Sequence, residues 1–147
     1  MTATITNIFL KTGSKTPMKE PQTALAVAGK GLDGDVSYGR TKRQVLFVER
    51  ETLDVFGLQP GQVRENITVA GLQLAGTTPG TRLQVGDTVM EVTMDCAPCE
   101  FMNELKPCLR VKIDGRRGTL CKVISGGEIK VGDGLKLLEP EFLTAHH

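Results

Sequence analysis

The chain has 147 residues, of which 39% are hydrophobic, and its formal net charge is +1. That length is typical of one domain, so we expect residues 1–147 to form a single unit with a core that needs no disulfide. A nearly neutral chain with dispersed basic residues is not typical of nucleic-acid-binding proteins. No apolar run approaches the roughly 20 residues of a membrane span, so neither nucleic acid nor a membrane is expected as a partner.

The amino-terminal stretch MTATITNIFLKTG lacks the basic start and long apolar segment of a secretory signal peptide. We therefore expect a cytoplasmic protein whose four cysteines stay reduced. The two histidines, His146 and His147, are the last two residues. The body of the domain therefore cannot build a catalytic triad or a zinc site that needs histidine. We expect a core over about residues 5–138 and a flexible tail over 139–147.

Short β-branched segments separated by glycine-rich turns predict a mainly β protein. A short helix is expected over 49–56, with Leu53 and Phe56 facing inward and Gly57 ending it. Strands at such short spacing favour a sandwich or a barrel. In chain order, the expected strands are 2–10, 44–48, 66–69, 82–85, 88–93, 109–113, 118–124, 128–131 and 135–138.

Two segments of the chain echo each other, LQVGDTVMEV (83–92) and IKVGDGLKLL (129–138). Each has an apolar run, a Gly-Asp pair and a second apolar run. Gly accepts positive φ and Asp bonds its own backbone, so both segments are expected to form β-hairpins. The pair supports a strongly bent antiparallel sheet that resembles or closes into a barrel.

Three of the four cysteines lie in TMDCAPCEFMNELKPC, residues 93–108. Pro98 is well placed to open a helix as its first residue, and Pro107 would end that helix. Cys99 would then lie in the first turn, where unpaired N–H groups and the helix dipole favour the thiolate. The sequence therefore favours Cys99 as a reactive thiol.

Other roles for the cysteines remain open. Cys96 and Cys99 form half of a Cys₄ zinc pattern, but Cys108 and Cys121 are thirteen residues apart and no second C-x-x-C exists, so no zinc is expected. A thioredoxin-like dithiol lacks its βαβ surroundings. Cys121 alternates with apolar neighbours and is expected in the core. All four could also be packing residues.

Three further segments carry polar side chains suited to a ligand. The glycine-rich loop 29–40 contains Asp35, which can fix a turn. In PGQVRENITVAGL (60–72), strand alternation would put Arg64 and Asn66 on one face, where they favour a polar or anionic ligand unless the strand start is simply exposed. The turn around Arg117 could be solvated or could clamp a phosphate.

In this order, the segments resemble the MOSC domain family, named for the C-terminal domain of molybdenum cofactor sulfurases. The resemblance covers roughly residues 5–138. The matching pieces are GLDGD (31–35), Arg43 before QVLF, PGQVRENITVAGL, the Gly-Asp hairpin, Ala97-Pro98-Cys99, GRRG (115–118) and ISGGEIKVGDGLKLL.

The resemblance implies a barrel-like mainly β fold with a few short helices. It also implies that Cys99 carries a persulfide sulfur or ligates the molybdenum of a pterin cofactor. Arg64 and Asn66 would present donors to the cofactor or to a sulfur-bearing group, Asp35 and the glycine-rich loop would shape the rim of the site, and Arg43 and Arg117 could bind phosphate. Molybdenum-ion and pyridoxal phosphate binding are further associations of the resemblance. Cofactor-biosynthesis or sulfur-donor proteins are the implied partners.

The resemblance leaves two alternative functions open, and this chain differs from many relatives at two positions. The domain could reduce N-hydroxylated compounds with bound cofactor, as larger relatives do, or it could be a binding module without chemistry. Many relatives place a histidine after the Gly-Asp pair, where this chain has Ser37. Many also have an arginine before the Pro-Cys pair, where this chain has Cys96 and Ala97.

Overall fold

The computed structural model describes residues 3–138. Its helices are short: α1 (Arg50–Val55), α2 (Phe101–Leu105) and α3 (Leu109–Lys112). Its strands are β1 (Ala3–Ile8), β2 (Thr23–Val27), β3 (Gly31–Leu32), β4 (Val45–Glu49), β5 (Ile67–Ala70), β6 (Arg82–Val85), β7 (Thr88–Asp95), β8 (Thr119–Ser125), β9 (Gly127–Lys130) and β10 (Gly134–Leu137).

Seven of these strands close a barrel in the order β1–β10–β6–β7–β8–β4–β5. The other three form a small sheet in the order β3–β2–β9. The barrel strands pair antiparallel, apart from β4 and β5, which run parallel with Phe47 opposite Ile67. The predicted fold class, a mainly β barrel with a few short helices, is confirmed.

The barrel interior holds the main hydrophobic core. Phe47, Ile67, Leu83 and Met90 are completely buried there. Along β7 the burial alternates, with Met90 and Val92 inside and Val89, Glu91 and Thr93 only half-buried. This period of two is what a strand with one face in the core produces.

A second apolar cluster attaches the three helices to the barrel. Val48 of β4 and Leu53 of α1 pack there with Met102 of α2 and with Leu109 and Ile113 at the two ends of α3. The predicted helix over 49–56 is confirmed as α1, and Gly57 follows it in a left-handed conformation with φ 67°. This cluster fixes the cysteine-rich segment against the barrel.

The strand predicted over 109–113 is wrong, because these residues form α3 and its end. The alternating Leu109, Val111 and Ile113 fit a strand pattern. However, the buried pair is Leu109 and Ile113, four residues apart as on one helix face, whereas Val111 is 79% exposed. The left-handed Cys108, with φ 61°, lets the chain turn into this helix.

Of the two predicted hairpins, the first is confirmed and the second is wrong. β6 and β7 pair directly, with Val85 opposite Thr88 around Gly86. In the second segment, β9 joins β2 in the small sheet, whereas β10 joins the barrel between β1 and β6. Its Gly-Asp turn therefore carries the chain from one sheet to the other.

Strands β2 and β3 were missed because the segment is short and interrupted by turns. Within residues 3–138, no helix is both long enough and apolar enough to cross a membrane. The predicted flexible tail over 139–147 lies outside the described residues, and so do both histidines.

Candidate functional site

A cavity of about 260 Å³ opens where the starts of β4 and β8, the end of β7 and the loops before β2, β4 and β5 meet. We call it the basic pocket. Its apolar floor consists of Leu46, Leu120 and Cys96, which pack against one another. Five basic side chains surround this floor: Lys11, Arg40, Arg43, Arg64 and Arg117.

Arg117 is the most unusual residue of the basic pocket. It is only 7% exposed, and its Nε and Nη1 atoms have no hydrogen-bond partner within residues 3–138. A buried guanidinium without partners is costly, and carboxylate or phosphate oxygens match its geometry. Its neighbour Arg116 is exposed and lies over the ring of Phe56, 5.3 Å from the centroid. The two arginines of the DGRRG turn therefore have different surroundings, and only Arg117 faces the pocket.

Lys11 adds a second cation to the basic pocket. Its Nζ donates a hydrogen bond to the Arg64 carbonyl oxygen over 3.1 Å. Burial lowers the pKa of Lys11, and the positive charges of Arg64 and Arg117 lower it further, although Asp35 opposes this change. An anion in the pocket would favour the charged form of Lys11.

Asp35 lies behind the wall of the basic pocket and is 5% exposed. Its Oδ1 accepts the Lys11 backbone N–H over 2.7 Å and the Asn66 side-chain amide over 3.0 Å. Its Oδ2 accepts the backbone N–H of Ser37 over 3.0 Å. The carboxylate thus joins the glycine-rich loop to the two segments that supply Lys11 and Asn66.

Asn66 is almost completely buried, and its side chain is bonded on both sides. Its Oδ1 accepts the backbone N–H of Leu46 over 2.9 Å, and its Nδ2 also donates to the Phe9 carbonyl over 3.1 Å. These bonds connect the entry of β5 to β4 and to the segment after β1. In this arrangement Asn66 fixes the pocket wall rather than offering a free donor.

Arg64 reaches the basic pocket by a different route from the one predicted. It has a left-handed backbone, with φ 60°, and precedes β5 instead of lying in a strand, so strand alternation does not apply to it. Its Nη1 donates to the Thr16 carbonyl over 3.1 Å and its Nη2 to the Gly13 carbonyl over 2.8 Å. The guanidinium thereby holds the loop before β2 against the pocket.

The segment around Cys99 begins its helix later than predicted. α2 starts at Phe101, so Cys99 precedes the helix, and its carbonyl accepts the Met102 N–H over 2.9 Å. Pro98 is therefore not its first residue. The side chain of Cys99 is exposed and does not line the basic pocket.

Cys96 is the cysteine that lines the basic pocket, and all four cysteines lie within the described residues. It is 7% exposed, and Arg43 Nη2 lies 3.9 Å from its Sγ. Cys121 is completely buried in the barrel, as predicted, and burial raises the pKa of its thiol. Cys108 is exposed at the start of α3.

The structure brings together most of the site predicted from sequence. Arg43, Arg64, Asn66 and Arg117 all line the basic pocket, and Asp35 is hydrogen-bonded directly to its wall. Three further lining residues were not predicted from sequence: Lys11, Arg40 and Cys96. Cys96 had two signals, its place in the C-x-x-C pair and its position where many relatives have an arginine, and Arg40 ends the glycine-rich loop 29–40, whereas Lys11 had none.

A second cavity, of about 400 Å³, lies between α1 and the loop after β5. Glu49, Glu51 and Arg116 line it, and it contains none of the predicted site residues. Burial raises the pKa of Glu49, although hydrogen bonds from the backbone N–H groups of Leu74 and Ala75 oppose this. Both Glu49 and Glu51 accept backbone N–H groups of the following loop. They therefore have a structural role.

The described part of the chain holds no group of three or more His, Cys, Asp or Glu side chains that could bind a metal ion. A metal held only by protein side chains is therefore not supported by residues 3–138. A metal that brings its own ligands, as in a pterin cofactor, needs fewer protein groups.

Comparison with known proteins agrees with this fold. The structure of YuaD from Bacillus subtilis superposes with a TM-score of 0.78 at 19% identity, covering 92% of this chain and 94% of that one. YiiM from Escherichia coli gives 0.71 at 19% identity, covering 95% of this chain and 71% of that one. YiiM from Geobacillus stearothermophilus gives 0.72 at 18% identity, with coverages of 93% and 75%.

Sequence comparison supplies the family. No curated protein matches the chain. The family model for the MOSC domain matches residues 33–136, which include Asp35, Arg64, Cys99 and Arg117. That match spans well over half of the 147 residues. The chain therefore belongs to the MOSC domain family.

Proposed function

We propose that this domain binds a molybdenum-pterin cofactor through the basic pocket and that Cys99 carries sulfur for the chemistry of that cofactor. The MOSC family is associated with molybdenum-cofactor binding. The pterin of this cofactor bears a phosphate group, so its recognition needs a site for an anion. The basic pocket supplies one.

The observation that carries this proposal is the unpartnered, buried guanidinium of Arg117. A bound phosphate would accept its Nε–H and Nη1–H groups and would also neutralise the charge of Lys11 across the pocket. Arg43 and Arg40 are exposed at the mouth and would attract the same anion. The residues present therefore fit the anionic part of the cofactor.

When bound, the cofactor would supply a sulfur-ligated molybdenum centre, which is a soft metal site compatible with thiolate. The contribution of this chain is to bind and orient the anionic end and to present the exposed thiol of Cys99. The hydrogen bond from the Asn66 amide to the Asp35 carboxylate helps to keep the pocket walls in place. The apolar floor beneath excludes water from one side of the ligand.

Cys99 suits sulfur carriage because it is exposed, so a partner protein can reach it. The donor would be a protein that carries a persulfide. The Cys99 thiolate would form a bond to the terminal sulfur of the donor as the S–S bond of the donor breaks. The donor would leave as a thiolate, and Cys99 would hold the transferred sulfur as a persulfide.

The test is to purify the protein from a host that makes the cofactor and to measure its molybdenum and pterin content. We expect the wild type to retain both, Arg117→Met to lose most of both, and the matched control Arg116→Met to behave as the wild type. Arg116 is a suitable control because it lies outside the basic pocket. A wild type without cofactor, or an Arg117→Met variant that keeps it, would contradict the proposal.

The role of Cys99 is tested separately by mass spectrometry of the thiols. Carriage predicts a persulfide on Cys99 after incubation with a persulfide donor, and unchanged molybdenum content in Cys99→Ser. Molybdenum lost in Cys99→Ser but retained in Cys108→Ser would show ligation instead. Reduction of N-hydroxylated compounds by the loaded protein would favour the reductase alternative.

A further inference from the structure

We infer that Cys96 is a second working thiol of this domain, and that it contacts the anionic ligand held in the basic pocket. The inference depends on the proposed anion binding, but it does not depend on any role of Cys99. It assigns to the pocket a sulfur atom that neither the sequence pattern nor the family match singles out.

The backbone holds Cys96 in a fixed position beside β8. Its N–H donates to the Gly118 carbonyl over 2.9 Å, which continues the β7–β8 pairing of Asp95 with Thr119 by one residue. Gly118 directly follows Arg117. The fixed thiol, just after β7, and the unpartnered guanidinium, just before β8, therefore both line the same cavity.

The surroundings of the Cys96 sulfur combine apolar packing with positive charge. Leu46 and Leu120 pack against it on the pocket floor. Arg43 Nη2 approaches the sulfur to 3.9 Å from the mouth. A ligand anion attracted by Arg43 and Arg117 would therefore come into contact with Sγ.

The buried side chain of Arg117 is an independent indication that the basic pocket binds a ligand. It is 93% buried, and two of its nitrogens have no partner within residues 3–138. The cavity of about 260 Å³ is small, so the ligand part that enters it is compact. The chemical class is an anionic group, such as a carboxylate or phosphate, with an electrophilic or soft atom close to the charge.

Alkylation with a charged and a neutral reagent tests this inference. Iodoacetate and iodoacetamide react alike: a C–S bond forms, the C–I bond breaks, iodide leaves and the thiol proton passes to solvent. Only iodoacetate carries the carboxylate that the basic pocket should attract. We expect the iodoacetate-to-iodoacetamide rate ratio to be roughly tenfold higher at Cys96 than at exposed Cys99, because a focused positive field raises local anion concentration.

Controls separate pocket binding from general reactivity. Arg117→Met should bring the ratio at Cys96 down to that at Cys99, whereas Arg116→Met should leave it unchanged. Inorganic phosphate should slow alkylation of Cys96 but not of Cys99, in comparison with chloride at the same ionic strength. Cys121 should stay unmodified throughout, which shows that each variant remains folded.

Equal ratios at Cys96 and Cys99, an unreactive Cys96, or a ratio unaffected by Arg117→Met would overturn the inference. These outcomes are distinct from failure of the proposed function, which is measured as cofactor content. Cofactor that depends on Arg117 together with equal ratios at the two thiols would overturn the role of Cys96 alone. A raised ratio at Cys96 in a protein that retains no cofactor would support Cys96 as the pocket thiol and contradict only the choice of cofactor.

Discussion

The side-chain amide of Asn66 donates a hydrogen bond over 3.0 Å to the carboxylate of Asp35, thirty-one residues earlier in the chain. Both side chains are buried, and together they join the glycine-rich loop, the entry of β5 and β4. The walls of the basic pocket therefore depend on an internal polar network, and its charge depends on the surrounding cations.

Asp35→Ala should lower the free energy of unfolding by about 3 kcal/mol, because it leaves the Lys11 N–H, the Ser37 N–H and the Asn66 amide without their acceptor. Urea denaturation measures the change. Asp33→Ala is the matched control, since Asp33 is exposed and should change stability by less than about 0.5 kcal/mol. Equal losses in the two variants would show that the network does not stabilise the fold.

Arg117→Met should raise the stability of the protein without its ligand by about 1–3 kcal/mol, because it replaces a buried, unpartnered cation with an apolar side chain of similar length. Thermal and chemical unfolding measure this gain. Arg116→Met should instead cost about 0.5–1 kcal/mol through loss of its contact with the Phe56 ring. A marked destabilisation by Arg117→Met would mean that its guanidinium already has partners.

Lys11 should give the unfolding free energy a specific pH dependence. The pKa of Lys11 in the folded protein lies below its ordinary value of 10.5. Between these two pKa values, the unfolded chain therefore binds more protons than the folded protein does. Stability from this group therefore rises as the pH increases from the folded pKa towards 10.5. Lys11→Met should flatten this slope relative to the wild type, and Lys15→Met, at an exposed position, is the matched control for the loss of a lysine. Identical slopes for Lys11→Met and the wild type would contradict this.

Gly118→Ala should destabilise the protein by about 2–4 kcal/mol, because its Cβ would lie 2.7 Å from Leu46 Cδ1 and 3.0 Å from the Phe47 carbonyl oxygen. Gly115→Ala is a useful comparison, since it also has positive φ but its Cβ would meet nothing within 4 Å. It should cost about 1 kcal/mol, from backbone strain alone. Denaturant unfolding midpoints, analysed with one common m-value, give the cost of each substitution, and the difference between them is the cost of the steric clash at residue 118. Equal costs would argue against close packing at the pocket wall.

Sequence patterns predicted the barrel well because its strands alternate between core and surface. The first Gly-Asp segment was identified correctly as a hairpin, since its two strands pair with each other. The second has the same local pattern, but β9 and β10 join different sheets. That choice of partner is set by long-range packing, which a local motif does not encode.

The candidate site was predictable in residue type but not in arrangement. Arg64 and Asn66 do meet at one cavity, yet a left-handed turn at Arg64 brings them there, and both side chains are bonded to the protein itself. Cys99 stands out in the sequence because Pro98 precedes it. Cys96 lines the pocket because of a backbone bond to Gly118, a contact between distant segments that no local pattern shows.

Anion binding in the basic pocket should depend on Arg117. The most direct measurement is to follow backbone amide resonances of the isotopically labelled protein as inorganic phosphate is added at constant ionic strength. We expect saturable shifts at Lys11, Cys96 and Gly118 in the wild type and in Arg116→Met, and their loss in Arg117→Met. Shifts confined to other surfaces, or unchanged in Arg117→Met, would contradict it.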